Sequence, residues 1–416
     1  MSNIPMSADV AAILGPFAEK MENPALRYQK YVLPKCWGHP FKVDDAARWN
    51  VLRLVQDGVN LLKKDAQNIE EDKRRAERKN NVEKAEKCLY LSSQVQQMGR
   101  MSKSTDNLMV LVTANTKELL QQISQTYGTR GISMIATLRG RLIINQAGGV
   151  IENAGMALDR CFGVPYIPGS ALKGITRHAA LWEIRDAGPE SREILALRAA
   201  ATFGFSDPDI AERGAFGWAT HGDRQILDKL ASVFGAKLFK GCCSFLPAYP
   251  ASVPVLVADM INPHTHGNPI PNYFPAVEAG VQFGFAVVLQ RDPPQAVGSA
   301  ESVLAQTKVW IDAALTETGV GAKTGAGYGW FGLKEKSDGA VVSSTSTPES
   351  LASDFTEKTF GGAIVARLDK KGEWQLLKAE VEKLRRPQNA EWLMKFKQLT
   401  QSKEYKDIRS KEWYPK

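Results

Sequence analysis

The segment that decides the fold reads GVPYIPGSALKGITR over residues 163–177. Pro168 and Gly169 force a turn, and the residue after them, Ser170, is of a type that begins helices by accepting a hydrogen bond from a backbone amide. The apolar spacing from Ala171 onward predicts a helix that runs to Ala187. The segment therefore predicts a tight turn followed by a helix whose N-cap is Ser170.

Two cations stand four residues apart at the start of this predicted helix. Lys173 and Arg177 lie on one face, where they oppose the helix dipole and repel each other. A phosphate group lying across the helix start would offset both effects, because helix N-termini bind anions. The pattern indicates a phosphate-binding group made of Ser170, Lys173 and Arg177; the alternative is two solvated cations on an exposed face.

Strand-type and helix-type patterns surround this segment without a regular alternation. Helical periodicity covers residues 190–202 and 300–315, and the predicted strands are residues 132–145, 242–246, 253–258 and 281–289. A doubly wound fold would alternate strand and helix along the chain. The order found here favours an α+β domain.

A second unusual segment reads GVGAKTGAGYGW over residues 319–330. Its glycines let backbone amides approach a phosphate closely, Lys323 adds a positive charge and Tyr328 offers a stacking face. Two known phosphate loops are excluded. The Walker pattern needs a glycine where Ala322 stands, and the dinucleotide-binding pattern needs a glycine at Thr324 and a strand before it. A plain glycine-rich turn stays open as the alternative.

These two segments carry a resemblance to a known family. Residues 167–174 with Arg177 resemble the IPGSSLKG…R signature of the RAMP superfamily of CRISPR proteins, and residues 319–330 are similar to its C-terminal glycine-rich motif. Two further segments, GCCSFLPAYP at 241–250 and DMINPH at 259–264, resemble motifs of the sixth-subunit family of the type III-B (Cmr) effector complex. The first departs from that pattern at Pro247, where the family has an acidic residue.

The resemblance covers roughly residues 23–335 and implies a fold and a function. The fold would be an α+β, ferredoxin-like domain related to the RRM. The function would be that of a non-catalytic RNA-binding subunit of the type III-B complex, placed near the 3′ end of the crRNA and serving antiviral defence. Its partners would be crRNA, target RNA and the other subunits, with no cofactor, no metal and no small-molecule substrate. The residues expected to contact RNA are Ser170, Lys173, Arg177, Gly319, Gly321, Lys323, Thr324, Gly325, Gly327 and Tyr328.

Composition and charge agree with a globular protein that meets a polyanion. The chain has 416 residues, 44% of them hydrophobic, and a formal net charge of +8. A modest basic excess favours nucleic acid or an anionic surface as partner. The cysteines number five and form no C-x-x-C pair, so neither a disulfide framework nor a cysteine zinc site is supported, and we expect a cytoplasmic protein. The sequence shows neither a signal peptide nor a membrane span.

Four regions are predicted along the chain. Residues 1–128 read as a mostly helical segment, in which residues 63–87 form a charged, solvated helix. Residues 129–335 read as the ferredoxin-like domain, residues 336–358 as a flexible linker and residues 359–416 as a basic helical extension; residues 357–416 hold 15 basic and 9 acidic residues.

The rival function is an endoribonuclease of the same superfamily that cuts precursor or target RNA. Its general acid or base would be His178, which follows Arg177 on the predicted helix. A metal site would need His264 and His266 with Asp259, a spacing more typical of a surface turn. We expect neither activity, because no carboxylate cluster falls within the recognised motifs.

Overall fold

The computed structural model describes residues 23–30, 40–100, 106–146, 155–235, 238–261, 272–333, 390–400 and 406–409, with positions 364 and 381. The chain divides into two compact units, residues 1–336 and 337–416. The predicted linker at 336–358 lies outside the described residues. The helices of the first unit are α1 (Pro24–Lys30), α2 (Ala46–Leu52), α3 (Gly58–Arg78), α4 (Val82–Arg100), α5 (Asp106–Tyr127), α6 (Gly169–Asp186), α7 (Pro189–Phe203), α8 (Asp207–Ile210), α9 (Ala215–Ala219), α10 (Arg224–Phe234) and α11 (Ala300–Ala313).

The second unit contributes two described helices, α12 (Ala390–Leu399) and α13 (Lys406–Arg409), which fall within the predicted helical extension. The strands all belong to the first unit: β1 (Gly131–Leu138), β2 (Gly204–Ser206), β3 (Leu238–Lys240), β4 (Cys243–Phe245), β5 (Tyr249–Pro250), β6 (Leu256–Ile261), β7 (Asn272–Val277), β8 (Gln282–Leu289) and β9 (Phe331–Leu333). Before Gly131, every described element is helical.

The main sheet has the topology that the sequence predicts. Its strands run in the order β4-β8-β1-β9, all neighbours antiparallel, and β5 adds to one end of β8. Helix α6 follows β1 and helix α11 follows β8, so the chain order of the frame is β1-α6-β4-β8-α11-β9. Numbered along the chain, its strands lie in the order 2-3-1-4, which is the ferredoxin-like β-α-β-β-α-β arrangement. The predicted α+β, ferredoxin-like fold is confirmed.

The two faces of this sheet are both covered. Alternate residues of β8, such as Phe283 and Phe285, are at most 1% exposed and share a core with Leu172 of α6 and Ile311 of α11. The intervening residues of the strands face the other way, as the two-residue period of a strand requires. The helices of the ferredoxin-like frame therefore lie on one face, and the opposite face needs a different cover.

Helix α5 covers that opposite face. Leu120 and Ile123 of α5 pack with Ala286 and Val288 of β8 in one buried cluster. The approach is close at Gly284, where an added Cβ would lie 2.8 Å from a methyl carbon of Leu120. RRM domains stack RNA bases on aromatic side chains of this sheet face. Over the stretch that α5 occupies here, the face is buried protein instead.

The earlier helices extend the same core. Trp49 of α2 is 1% exposed, and its indole donates a hydrogen bond to the Asp65 carboxylate of α3 at 3.2 Å. The apolar residues from Trp49 to Leu62 belong to two helices, α2 and α3, and α3 begins at Gly58, where an added Cβ would overlap the Leu52 carbonyl oxygen. The charged region predicted as one helix is a hairpin of α3 and α4, which turns at Asn80 with a φ of 52°.

Two predicted strands differ from the structure. The strand predicted over 132–145 ends at Leu138, because Gly140 lies against the glycine-rich segment: an added Cβ would stand 2.0 Å from the Gly327 oxygen. The strand predicted over 253–258 is displaced to β6, which pairs with β7 in a separate two-stranded sheet. None of the described helices is long and apolar enough to cross a membrane.

Candidate nucleic-acid interface

The glycine-rich segment forms a loop between α11 and β9, entered through a π-helical turn (Ala314–Thr318). Four of its glycines adopt positive φ angles: Gly319 at 77°, Gly321 at 97°, Gly327 at 90° and Gly329 at 70°. Gly329 is also sterically required, since an added Cβ would lie 1.9 Å from the Val320 oxygen. We call residues 319–330 the glycine loop.

The base of the glycine loop is held by backbone hydrogen bonds to the chain just beyond β1. The amide of Ala322 donates to Ile143 O at 2.8 Å, the amide of Gly329 donates to Arg141 O at 2.7 Å, and the amide of Arg139 donates to Trp330 O at 2.7 Å. The indole of Trp330 also donates to Thr324 O at 2.9 Å. These contacts make the loop a fixed structure on the end of the sheet.

The tip of the glycine loop has the backbone geometry of an anion site. Lys323 is left-handed, with φ 61° and ψ 32°, and Thr324–Ala326 form a 3-10 turn directly after it. A left-handed residue followed by a right-handed one turns successive amides toward the same concave side, and such nests bind anions. Within the part of the chain that the structure describes, no acceptor takes a hydrogen bond from the amides of Gly321, Lys323, Thr324 and Gly325.

The Lys323 side chain adds a positive charge beside these amides. The residue is exposed, and its ammonium lies 6.0 Å from the centre of the Phe274 ring, at the outer limit of a cation–π contact. No described carboxylate forms an ion pair with it. The tip thus combines four backbone donors with one accessible cation.

A charged network joins the glycine loop to the β6–β7 sheet. The Tyr328 hydroxyl donates to Asp259 Oδ2 at 2.8 Å, and the Arg141 guanidinium lies 3.0 Å from the same carboxylate oxygen. Arg141 also binds Glu278 in a bidentate pair with distances of 3.0 and 3.2 Å. These side chains connect three separate segments of the chain.

The ionisation of this network follows from its hydrogen bonds. Burial acts against the charge on Asp259, but the bonds from Tyr328, Arg141 and the Met260 amide outweigh it, so the pKa of Asp259 lies below its usual value. The hydrogen bond from Arg141 lowers the pKa of Glu278 in the same way. Burial and the contact with Asp259 raise the pKa of Tyr328 to about 12. At neutral pH the network therefore holds two carboxylates, one guanidinium and a neutral phenol.

This geometry assigns Tyr328 a different part from the stacking face that the sequence suggested. Its ring packs against Phe274 at 6.3 Å and 65°, and its hydroxyl is bound to Asp259. Tyr328 therefore fixes the loop. Sequence reasoning missed Arg141 and Glu278 altogether, because a lone arginine after a strand and a lone glutamate before a turn carry no motif.

The predicted helix N-terminus is real, but Ser170 is not its N-cap. The amides of Ala171 and Leu172 donate to Pro168 O at 2.9 and 3.1 Å, so Pro168 is the N-cap and Ser170 lies inside the first turn, exposed. The first residue of the helix, Gly169, lies against the end of β4, where an added Cβ would be 2.2 Å from Phe245 O. A side chain at this position would clash with the strand.

The two cations on α6 have unequal surroundings. Arg177 forms an ion pair with Asp209 at 2.7 Å and lies 5.9 Å from the Phe216 ring, so an internal carboxylate already balances its charge. Lys173 has no ion pair among the described residues and is half-buried. Burial, with a smaller effect of Arg177, lowers the pKa of Lys173. Lys173 is the cation of this pair that still lacks a counter-charge.

The two predicted groups lie at opposite edges of the sheet and at different levels along its strands. Gly169 contacts Phe245 of β4, which pairs with Val287 near the end of β8, whereas the glycine loop leads into β9, whose Phe331 pairs with Leu138 beside the start of β8. Strands β8 and β1 lie between these edge strands, so three strand spacings of about 4.8 Å, about 14 Å in all, separate the two edges. The structure therefore keeps the Ser170–Lys173–Arg177 group apart from the glycine loop.

The residues considered for catalysis and metal binding are placed differently. The Trp182 indole donates to His178 Nε2 at 3.0 Å, so that nitrogen is already used as an acceptor. Asp259 belongs to the network with Arg141. His264 and His266 lie outside the described residues. Across the described ranges, no group of three or more His, Cys, Asp or Glu side chains is arranged to hold a metal ion.

Comparisons with known proteins show which families and structures the chain is similar to. A family model described as the RAMP superfamily matches residues 136–332. The CRISPR system Cmr subunit Cmr6 of Pyrococcus furiosus is 27% identical over 230 residues, which are 46% of this chain and 64% of that relative. The chain thus spans somewhat less than two thirds of the length of the curated relative it matches.

Solved structures are similar at a lower level. The cryo-EM structure of the type III-B Cmr-beta complex bound to cognate target RNA has a chain 22% identical, with a TM-score of 0.36, covering 62% of this chain and 75% of that one. The crystal structure of Cmr6 from Pyrococcus furiosus is 23% identical, with a TM-score of 0.28, covering 49% of this chain and 97% of that one.

Proposed function

We propose that the chain is an RNA-binding subunit of a type III-B CRISPR effector complex, because residues 136–332 match the RAMP superfamily model and the Cmr6 subunit is similar in sequence. Its partners are crRNA, target RNA and the other subunits of the complex, and its role is antiviral defence. The part that we assign to it is to hold the RNA backbone near the 3′ end of the crRNA.

The observation that carries this proposal is the tip of the glycine loop. Four amides without a described acceptor and the exposed Lys323 ammonium present hydrogen-bond donors and positive charge on a fixed frame. This combination suits a phosphate oxygen, which accepts several hydrogen bonds and carries negative charge. Such contacts position a nucleic acid without reading its bases. We therefore assign the loop to RNA backbone binding with little sequence preference.

Lys173 supplies a second, weaker contact at the other edge of the sheet. Lys173 has no described ion pair and its pKa is lowered. A phosphate that approaches it supplies a counter-charge and favours the protonated ammonium. Arg177 stays in its ion pair with Asp209 and has only a supporting role in this contact. Helix α5 closes the sheet face that RRM domains use, which favours RNA at the end of the sheet.

Replacement of Lys323 tests the loop directly. We expect Lys323→Ala to weaken binding of unstructured RNA about equally for all sequences and to lower the slope of log affinity against log salt by about one unit. Gly325→Val adds a side chain at a position with open space and no positive φ, so the fold tolerates it while the tip is blocked. We expect Gly325→Val to cost more affinity than Lys323→Ala. Filter binding or fluorescence anisotropy at several salt concentrations measures both.

The matched control is Lys240→Ala. Lys240 is an exposed lysine at the end of β3, just before β4, and β4 begins beside Leu289 at the opposite end of the sheet from the glycine loop. Its removal takes away the same charge and leaves the loop untouched. Equal salt slopes for Lys323→Ala, Gly325→Val and wild type would reduce the glycine loop to a structural turn.

We also propose that the chain does not cleave RNA. The surroundings of His178 support this: its Nε2 atom accepts a hydrogen bond from the Trp182 indole, and none of the described carboxylates, including Glu183, Asp186 and Glu317 in the same groove, forms a hydrogen bond with it. Labelled precursor and target RNA, incubated with the purified chain with and without divalent metal, should stay intact. Specific cleavage that is lost in His178→Ala or Asp259→Ala would establish the rival endoribonuclease.

A further inference from the structure

A groove on the outer side of the ferredoxin-like helices is distinct from the tip of the glycine loop, although its lining extends to Thr318, the residue before that loop. It has a volume of about 500 Å³ and lies between α6 and the end of α11. Its apolar lining includes Trp182 and Val309, whose exposed fractions are 46% and 53%. We call it the Trp182 groove. A half-exposed tryptophan is unusual on a surface that meets only water, because aromatic side chains concentrate at interfaces.

The Trp182 side chain is fixed in place before any partner arrives. Its indole donates to His178, and its ring meets Trp218 edge-on at 5.0 Å. The Arg185 guanidinium lies 4.5 Å from the centre of the Trp218 ring and so supports the cluster from behind. A preordered aromatic anchor loses little conformational entropy on binding, which is the property of an interface hot spot.

The charge of the groove selects the occupant. Its lining includes three carboxylates, Glu183, Asp186 and Glu317, and neither a lysine nor an arginine. Glu183 is held at the floor by the indole of Trp310 and by Gln306, the latter at 3.0 Å. In a chain of net charge +8 this is a locally acidic surface. It repels RNA phosphates and attracts a cation.

We propose that the Trp182 groove is a docking site for a basic segment of another protein, with an arginine or lysine side chain stacked on the Trp182 ring and facing the carboxylates. A cation over a tryptophan face is the strongest of the cation–π pairs, and the carboxylates add charge-assisted hydrogen bonds. The proposal rests on the proposed function only in that a subunit of a complex has protein neighbours. The groove and the glycine loop are separate sites with separate tests.

The experiment uses the full chain in a reconstituted type III-B complex. A photo-crosslinking amino acid replaces Val309 inside the groove, and in a control chain it replaces Val253, which is 44% exposed elsewhere. Mass spectrometry then identifies the crosslinked peptide. We expect a segment of a different subunit that carries arginine or lysine. Crosslinks to RNA, crosslinks to a second copy of this chain, or a yield no higher than at Val253 would overturn the proposal.

Affinity measurements give a second readout. We expect Trp182→Ala and Asp186→Lys each to weaken incorporation of the chain into the complex about tenfold, with RNA affinity of the isolated chain unchanged. The matched control is Glu118→Lys on α5, which reverses an exposed charge on the other side of the sheet. If the groove variants are incorporated less well and still bind RNA, the docking role of the groove is supported. If Lys323→Ala binds RNA less well and the crosslinks from the groove are unchanged, that result bears only on the proposed function. Unchanged incorporation of both groove variants would contradict the docking role.

Discussion

At the scale of the residue, Asp259 decides how the glycine loop is held. Its carboxylate accepts a hydrogen bond from the Tyr328 hydroxyl of the loop and forms an ion pair with the Arg141 guanidinium from the chain beyond β1. Arg141 is in turn fixed by Glu278. The loop amides that we propose as RNA donors therefore depend on this network for their position. Asp259 is a positioning residue for the loop.

The ionisation of Asp259 predicts how stability changes with pH. Because the folded-state pKa is lowered, the stabilisation is complete above the unfolded value near 3.8 and is lost as the pH falls through the folded value. We expect Asp259→Asn to unfold more easily than wild type at neutral pH, by about 1–2 kcal/mol, since it loses hydrogen bonds to a charged group. The difference should shrink as the pH falls below 3.8 and vanish once the pH is below the folded-state pKa of Asp259. Urea unfolding followed by circular dichroism across this range measures it.

The control for this measurement is Asp72→Asn. Asp72 pairs with Arg75 at 3.5 Å on the surface of α3, where ion pairs contribute little. A constant difference between Asp259→Asn and wild type at every pH would mean that the charge on Asp259 has no part in holding the loop.

At this scale the sequence predicts positions better than roles. The glycines and Lys323 are visible because their spacing is unusual, and their positive φ angles confirm the expected turn. The roles of Tyr328 and Asp259 depend on partners that are 69 residues apart in the chain. The N-cap is Pro168 and not Ser170. The contact of Gly169 with β4 at this helix start also joins residues that are distant in sequence.

At the scale of the element, helix α5 controls which surface of the sheet is open. Its buried residues pack on β8, while Leu119, beside Leu120, is 46% exposed. We expect Leu120→Ala to lower the free energy of unfolding by about 2–5 kcal/mol because it leaves a cavity between helix and sheet. The neighbouring Leu119→Ala should change it by less than about 0.5 kcal/mol. Chemical denaturation of both variants gives the comparison.

If Leu120→Ala and Leu119→Ala lowered the free energy of unfolding by similar amounts, α5 would not cover the sheet as described. If the sheet face instead binds RNA, Leu120→Ala should raise RNA affinity by loosening the cover. An unchanged RNA affinity agrees with binding at the end of the sheet.

The long elements are predictable and the short ones are not. Helices α6, α7 and α11 and strand β8 follow from residue periodicity, since each has several turns or alternations that repeat the pattern. Strands β2, β3 and β7 have six residues or fewer and gain their pairing from partners elsewhere in the chain. The break between α2 and α3 also escapes sequence analysis, because the close approach of Gly58 to the Leu52 carbonyl leaves no sequence pattern.

At the scale of the whole molecule, the ferredoxin-like frame separates two surfaces. The cationic groups are the glycine loop, which is bound to the chain beyond β1, and Lys173, which lies near β4. The acidic Trp182 groove lies on the outer side of the helices. A subunit that holds RNA and also contacts a basic neighbour needs such a division. Composition shows only the net charge of +8, and the topology is needed to see how it is distributed.

Hydrogen exchange of the glycine loop amides tests the central claim most directly, because these amides are the proposed donors to RNA. Exchange of the purified chain is followed by mass spectrometry with and without unstructured RNA, with peptides from residues 319–329 compared with peptides from residues 224–234 of α10. We predict that RNA slows exchange within 319–329, at the amides of Gly321, Lys323, Thr324 and Gly325, and leaves α10 unchanged. RNA that binds while exchange in 319–329 stays the same would contradict the account.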